Sequence, residues 1–396
     1  MNATHELFIL SGTRTGIGKY GGGLAGVPPG DLAAATVREA VTRAGVEPSA
    51  VGHCVFGNVI HTETRDMYLG RVAAVNGGLP VETPAFTVNR LCGSGLQAIV
   101  SATQAIALGD AEVAVAGGAE SMSRGPYWLP GMRWGQRMQD GTVVDAMVGA
   151  LTDPFDACHM GVTAENVAAD YHVSRADQDA LAAESHRRAA AATDGGYFTG
   201  QILPIEVPGR GGTTTTFATD EQIRPGATAA DLAKLRPAFA RDGTVTAGNA
   251  SGINDAAAAV VLASGDFAER QGLAPMGRLV AYSHAGVEPR IMGMGPVPAV
   301  HKVLERVGLK LDDIDVFEVN EAFAAQALAV VRELGLPPER TNPNGSGISL
   351  GHPIGATGAI LAVKVLYELH RTGGRYGLVT MCIGGGQGIA AVFERA

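Results

Sequence analysis

Apolar residues along the chain fall into short runs divided by glycine and polar turns, and their period changes from run to run. Residues 7–10 form a continuous apolar run of strand length, which reads as a strand buried on both faces. Over residues 31–44 the apolar positions recur at helical spacing, with Asp31 as N-cap and Gly45 as the stop. Residues 96–108 predict a second helix. It carries no charge on any face, which implies burial all round. Gly109 ends it, and residues 112–116 follow as a strand running into Gly117-Gly118. Strand and helix in alternation are the mark of layered α/β architecture.

Between about Ser121 and Val245 the alternation lapses. This stretch holds both tryptophans, Trp128 and Trp134, five methionines (Met122, Met132, Met138, Met147, Met160), a helical segment at 175–192 and a Gly/Thr-rich loop at 209–216. It reads as a large insertion over the core fold. Alternation resumes near Thr246. Val316–Val319 predicts a strand, 321–334 a helix, 342–355 a Gly/Pro-rich loop, 356–370 a helix and 377–381 a strand entering Cys382-Ile383-Gly384-Gly385-Gly386. The order small-residue turn, buried helix, Gly, strand, Gly-Gly occurs around 95–118 and again around 358–385. A duplicated α/β unit is therefore expected, with the helices after Gly95 and Gly358 as its related pair.

The length of 396 residues exceeds one ordinary core, so more than one domain is expected. The 55 glycines follow no three-residue period, which excludes collagen. A net charge of −9 argues against nucleic acid and anionic membranes as general partners. No uncharged run is long enough to span a bilayer. Met1-Asn2-Ala3-Thr4-His5-Glu6 lacks a charged segment followed by a long apolar stretch, so no secretory leader is read there. Four cysteines in so long a chain make no disulfide framework, which points to a reducing cytoplasm.

Four chemically able groups fall at strand ends or helix starts: Cys92, Asn320, His352 and Cys382. In open α/β sheets the ligand crevice lies at the carboxyl ends of strands, so convergence in one cleft is expected. Cys92 sits on the turn Leu91-Cys92-Gly93-Ser94-Gly95, where the positive end of a helix favours thiolate. His352 lies in Gly351-His352-Pro353, a rigid setting that suits an oriented base. The glycines after Cys382 expose backbone N–H groups able to bind an oxyanion. Most free cysteines are simply buried small residues, and Cys54 and Cys158 take that reading. Cys158-His159 has no second ligand pair, so no metal site is read. Gly16-Ile17-Gly18-Lys19-Tyr20-Gly21 fits a nucleotide-loop pattern but opens no helix. Gly93–Ala98 opens one but lacks the acidic residue at the next strand's end, and Gly18-Lys19 is followed by Tyr20. Dinucleotide and ATP sites are rejected.

Four motifs in one order, Asn89-Arg90-Leu91-Cys92-Gly93-Ser94-Gly95, Asn320-Glu321-Ala322-Phe323, Gly351-His352-Pro353 and Cys382-Ile383-Gly384-Gly385-Gly386, resemble those of the thiolases over nearly the whole chain. The resemblance implies a duplicated αβαβα fold. Its N-terminal half would be 1–120 with about 246–271, its loop domain 121–245 and its C-terminal half 272–396. It implies a CoA-dependent acyltransferase that joins or cleaves short β-ketoacyl-CoA. Cys92 would carry the acyl group, His352 would activate it, and Cys382 would move the proton of the second acyl-CoA. Asn320, through a water, and His352 would form one oxyanion site, and the N–H groups of Cys92 and Gly384 the other. By motif position Arg224, Phe239 and Ser251 would contact CoA, while His159, Met160, Met292, Ala322 and Phe323 would line the acyl end. CoA would be substrate and product, with no cofactor. The family resemblance also implies a homotetramer, with a loop at 125–145 joining two dimers.

Within the family, His159-Met160-Gly161 resembles the biosynthetic branch acting on acetoacetyl-CoA, as against the degradative 3-ketoacyl-CoA thiolases. Residues 64–78 and 381–391 resemble bacterial β-ketothiolases that feed polyhydroxyalkanoate synthesis. Ala256 stands where many members carry glycine, and Ser346 and Thr357 replace commoner small residues; these bear on pocket width. Two other readings are a decarboxylating ketosynthase, against which Cys382 argues, and a non-catalytic acyl-CoA binding protein, against which the full set of four residues argues.

Overall fold

Nine strands form the spine of the computed structural model, which describes residues 6–396. The leader reading falls on residues 1–5, outside the described residues. The first half runs β1 (Leu7–Thr15), α1 (Pro29–Ala44), β2 (His53–Gly57), α2 (Leu69–Asn76), β3 (Ala85–Val88), α3 (Ser94–Ala107) and β4 (Val113–Ser121). The insertion supplies α4 (Met160–Asp170) and α5 (Arg175–Asp194), after which β5 (Asn254–Ser264) returns to the sheet. The second half runs β6 (Gly277–Gly286), α6 (Pro296–Val307), β7 (Val316–Val319), α7 (Ala324–Leu334), α8 (Thr357–Thr372), β8 (Tyr376–Ile383) and β9 (Gln387–Arg395).

The sheet order is β7-β8-β9-β6-β1-β5-β4-β2-β3. Read outward from its centre, it repeats itself. β1 pairs antiparallel with β5, β5 antiparallel with β4, and β4 parallel with β2. β6 pairs antiparallel with β9, β9 antiparallel with β8, and β8 parallel with β7. The halves join where Phe8 and Ile9 of β1 meet Arg278 and Gly277 of β6. The duplication expected from the repeated segment order is thus visible in strand order and direction.

The pleat explains the layers. Along β4, Val113 and Val115 face an outer core with Leu32 and Val37 of α1 and Leu69 of α2. Ala114 and Ala116 face an inner core with Ile99 of α3 and Val363 and Leu366 of α8. Alternate side chains of one strand serve two cores, so the strand reads as an unbroken apolar run. A third core gathers Val300 of α6, Val330 of α7, Phe317 of β7 and Val392 of β9. The layers are therefore helix, sheet, helix pair, sheet, helix. The central pair α3 and α8 crosses backbone to backbone. A Cβ on Gly95 would lie 2.7 Å from the Ala359 nitrogen, and one on Gly358 would strike Leu96.

Several boundaries differ from expectation. β1 extends to Thr15, because the polar residues Ser11, Thr13, Arg14 and Thr15 are themselves buried. α1 begins at Pro29 with Pro28 in the cap position, and Asp31 lies in its first turn; proline at N1 needs no N–H partner. α7 starts at Ala324. Glu321 instead folds inward to accept hydrogen bonds from Ser185 (2.6 Å) and Asn342 (3.0 Å). The 209–216 loop is the turn of a hairpin, Ile205–Pro208 with Thr214–Phe217. No helix among the described residues is long and apolar enough to cross a membrane.

Candidate active site

Cys92 lies on the turn between β3 and α3, two residues before the helix begins. Asn89 Oδ1 accepts the Leu91 N–H (2.9 Å). Ser94 Oγ accepts the Arg90 N–H (2.8 Å) and donates to the Leu91 carbonyl (2.7 Å). These bonds hold Leu91 at φ +43, a left-handed conformation costly for a branched side chain. The turn thereby projects Cys92 from a fixed backbone.

His352 and Asn320 come from the other half. Asn320 follows β7 directly, and its N–H donates to the Thr380 carbonyl (3.0 Å). Among the described residues its buried Oδ1 has no partner, and its Nδ2 lies 3.4 Å and 3.5 Å from the two ring nitrogens of His352. The His352 N–H donates to Asn254 Oδ1 (2.9 Å). Cys382 is near the end of β8, and Gly384 follows in the turn where Gly385 and Gly386 take φ of +80 and +83. The N–H groups of Gly384 and Cys92 both hydrogen-bond the Cys92 sulfur, and charge on Cys92 raises Cys382. The two sulfurs are therefore close enough for the charge of one to act on the other.

Burial decides the protonation states. It pushes the Cys92 thiol up to about 11, against the two N–H groups that lower it, and the Glu120 charge adds to the rise. The helix end is expected to favour thiolate, but burial of the sulfur outweighs it. Burial, then the Cys92 charge, also drives Cys382 well above the ordinary thiol range. Burial lowers His352 to about 4, so its imidazole is neutral.

A cavity of about 460 Å³ opens from these groups. Cys92 and His352 line it. So do all eight residues expected to hold CoA or the acyl group: Arg224, Phe239, Ser251, His159, Met160, Met292, Ala322 and Phe323. Asn320, Cys382 and Gly384 lie behind this lining. His159 stacks on Phe239 with ring centres 4.7 Å apart, and Phe239 meets Phe323 edge-on at 6.1 Å. The Ser251 N–H donates to the Ala322 carbonyl (2.9 Å), which ties the segment leading into β5 to the Asn320–Phe323 segment. A Cβ on Gly384 would meet the end of the Met160 side chain, so this turn lies directly against the cavity lining.

Sequence reasoning missed Lys19, Tyr20 and Gln222 on this wall. Lys19 was visible only inside the rejected nucleotide pattern. It also missed Glu120, whose buried carboxylate accepts the N–H groups of Gly355 (2.8 Å), Ile60 (3.0 Å) and Val59 (3.1 Å) and the Asn58 amide (3.1 Å). Burial pushes Glu120 up to about 8. All four bonds place donors on its oxygens, an arrangement that suits the carboxylate. Cys54 is packed in the outer core.

Models of the thiolase N-terminal domain and the thiolase C-terminal domain match residues 7–266 and 273–395. The chain belongs to the thiolase family. This thiolase is 64% identical over 393 residues to the beta-ketothiolase BktB of Cupriavidus necator, covering 99% of this chain and 100% of that one. Its structure matches the crystal structure of the Bacillus anthracis acetyl-CoA acetyltransferase with a TM-score of 0.98, at 47% identity and full coverage of both chains. It also matches human mitochondrial 3-ketoacyl-CoA thiolase in complex with CoA, with a TM-score of 0.96, 43% identity and coverage of 99% and 98%. The fold is the thiolase fold.

Proposed function

We propose that this thiolase catalyses the reversible, CoA-dependent Claisen condensation of acetyl-CoA with acetyl-CoA or another short acyl-CoA, through an acetyl group held on Cys92. The observation that carries this is the placement of Cys92 and His352 on one cavity wall, with Cys382 near enough to feel the Cys92 charge and two backbone N–H groups on the Cys92 sulfur. His352 takes the Cys92 proton as the sulfur attacks the thioester carbon. The C–S bond to CoA breaks, and the proton goes to the departing CoA sulfur. Splitting one hard step into two is what a covalent intermediate provides. The Cys382 thiol then passes its proton to His352, and the thiolate so formed removes an α proton from the second acyl-CoA. The carbanion attacks the acetyl carbon, and the Cys92 sulfur leaves and takes the proton held on His352.

Negative charge moves onto oxygen in both steps. The N–H groups of Cys92 and Gly384 serve the acyl-enzyme. Asn320, with its unpaired Oδ1 suited to a water, serves the enolate together with His352. Such donors supply about 3–4 kcal/mol each. Exposed Arg224 and Lys19 mark the open side of the cavity, where a phosphorylated arm would leave it.

His159 supports the short-chain biosynthetic reading over the degradative one. Its Nδ1 accepts the Gly161 N–H (3.0 Å), which leaves Nε2 to donate. A role in supplying polyhydroxyalkanoate synthesis, a cytoplasmic setting, residues 121–245 as the CoA cover and a tetramer joined through 125–145 belong to the same proposal. Loss of acetoacetyl-CoA absorbance on adding CoA is the test, with 3-ketovaleryl- and 3-ketohexanoyl-CoA compared. CoA-dependent loss fastest for the shorter substrates is expected. No loss would leave a binding protein, and condensation only with a malonyl donor would leave a ketosynthase.

A further inference from the structure

We infer that Thr357 sets the tautomer of His352, keeping hydrogen on Nδ1 and leaving Nε2 free to take a proton. The inference rests on the reading of His352 as the base that activates Cys92. It assigns a positioning role to a residue outside the cavity lining.

The argument is one of donors and acceptors. Thr357 is the first residue of α8, and its Oγ1 lies 2.9 Å from the Pro353 carbonyl and 2.7 Å from His352 Nδ1. The Pro353 carbonyl, which also accepts the Ala356 (2.8 Å) and Thr357 (3.0 Å) N–H groups, can only accept, and the single hydroxyl hydrogen is assigned to it. The hydroxyl can then meet Nδ1 only as an acceptor, and Nδ1 must carry the hydrogen. A neutral imidazole has one N–H, so Nε2 is the bare nitrogen. Burial keeps the ring neutral, and His352 is 5% exposed, so water does not compete for Nδ1.

The other neighbour does not choose between the nitrogens. Asn320 Nδ2 is nearly equidistant from both, so neither contact is a directed bond. Backbone bonds hold the His352 loop around the same point: Asn254 accepts the His352 N–H, and Glu120 accepts the Gly355 N–H. They fix the main chain but leave the ring's hydrogen undetermined. Among the described residues, the Thr357 hydroxyl is the group whose bond fixes it. A base in the wrong tautomer presents a hydrogen where it must receive one, so acylation suffers while ligand binding does not.

The test compares wild type, Thr357→Val, Thr357→Ser and His352→Ala. The readouts are the rate of acetyl transfer to Cys92, CoA affinity, and the nitrogen-15 spectrum of histidine-labelled protein. Wild type should show the His352 hydrogen on Nδ1. Valine keeps the branched shape and removes the hydroxyl, so acylation should fall roughly 10- to 100-fold with CoA affinity unchanged. Serine should restore the rate. A wild-type spectrum with hydrogen on Nε2 would overturn the inference whether or not the valine variant folds. A valine variant at full rate, beside an inactive His352→Ala, would overturn it and leave the base assignment intact. An undiminished His352→Ala enzyme would overturn the base assignment itself.

Discussion

At the scale of single residues, burial leaves the proposed nucleophile and its base both neutral. Cys92 is pushed up to about 11 and His352 down to about 4. Proton transfer must therefore accompany attack. The sign of the His352 shift fixes a pH dependence. The base works only when unprotonated, and its lowered value keeps it unprotonated at any pH above about 4. The acid limb of kcat/KM should lie near pH 4 to 5, below the ordinary histidine range near 6.5. Initial rates across pH 4–8 check this, and a limb centred above 6 would contradict it. Replacing Cys382 by serine should leave Cys92 able to accept an acetyl group while slowing condensation at least about 100-fold. Stopped acylation and steady-state condensation assays separate the two effects. Cys92, His352 and Cys382 were legible in the sequence because each sits in a short glycine-bearing turn, and Asn320 because it closes a predicted strand. The direction of the sulfur shifts was not, since desolvation depends on what the rest of the chain packs around the site.

Between elements, the crossing of α3 and α8 brings the halves of the site together. Each helix begins beside one half of the chemistry: Cys92 before α3, His352 before α8. Gly358→Ala would force a methyl group into Leu96. We expect a stability loss of about 1–3 kcal/mol from overpacking, together with lowered activity. Thermal unfolding and acylation rate read both. The insertion is anchored to β1 by a buried ion pair, Arg14 with Asp220, at 2.7 Å and 3.0 Å. Asp220→Ala would strand a buried guanidinium, with an expected loss of about 3–5 kcal/mol in denaturant unfolding. Strand β1 shows why local pattern fell short. Its polar half from Ser11 to Thr15 looks like a turn, and only partners such as Gln201 and Asp220, far along the chain, satisfy it. The helix stops at glycine were read correctly because a left-handed C-cap is a local requirement, as at Gly45 with φ +64.

For the whole molecule, the repeated strand order makes one active site from two related halves. In the proposed mechanism the first gives the nucleophile Cys92, and the second gives His352, Cys382, Asn320 and Gly384. The order of small-residue turns and glycines carried that duplication in the sequence, whereas the antiparallel junction of β1 and β6 left no local sign. The loop at 125–145 stands out from the body, with Trp134 89% and Met138 84% exposed. In the proposed tetramer these side chains are covered. Trp134→Glu should therefore shift the assembly toward dimers, with mass read by light scattering; an unchanged mass would remove the loop from the interface.

The most direct test of the central claim is intact-mass measurement after acetyl-CoA is added to wild type, Cys92→Ala and Cys382→Ser. One acetyl group on wild type and on Cys382→Ser, and none on Cys92→Ala, is the predicted result. An acetyl group retained by Cys92→Ala, or none on wild type, would contradict the mechanism built on that sulfur.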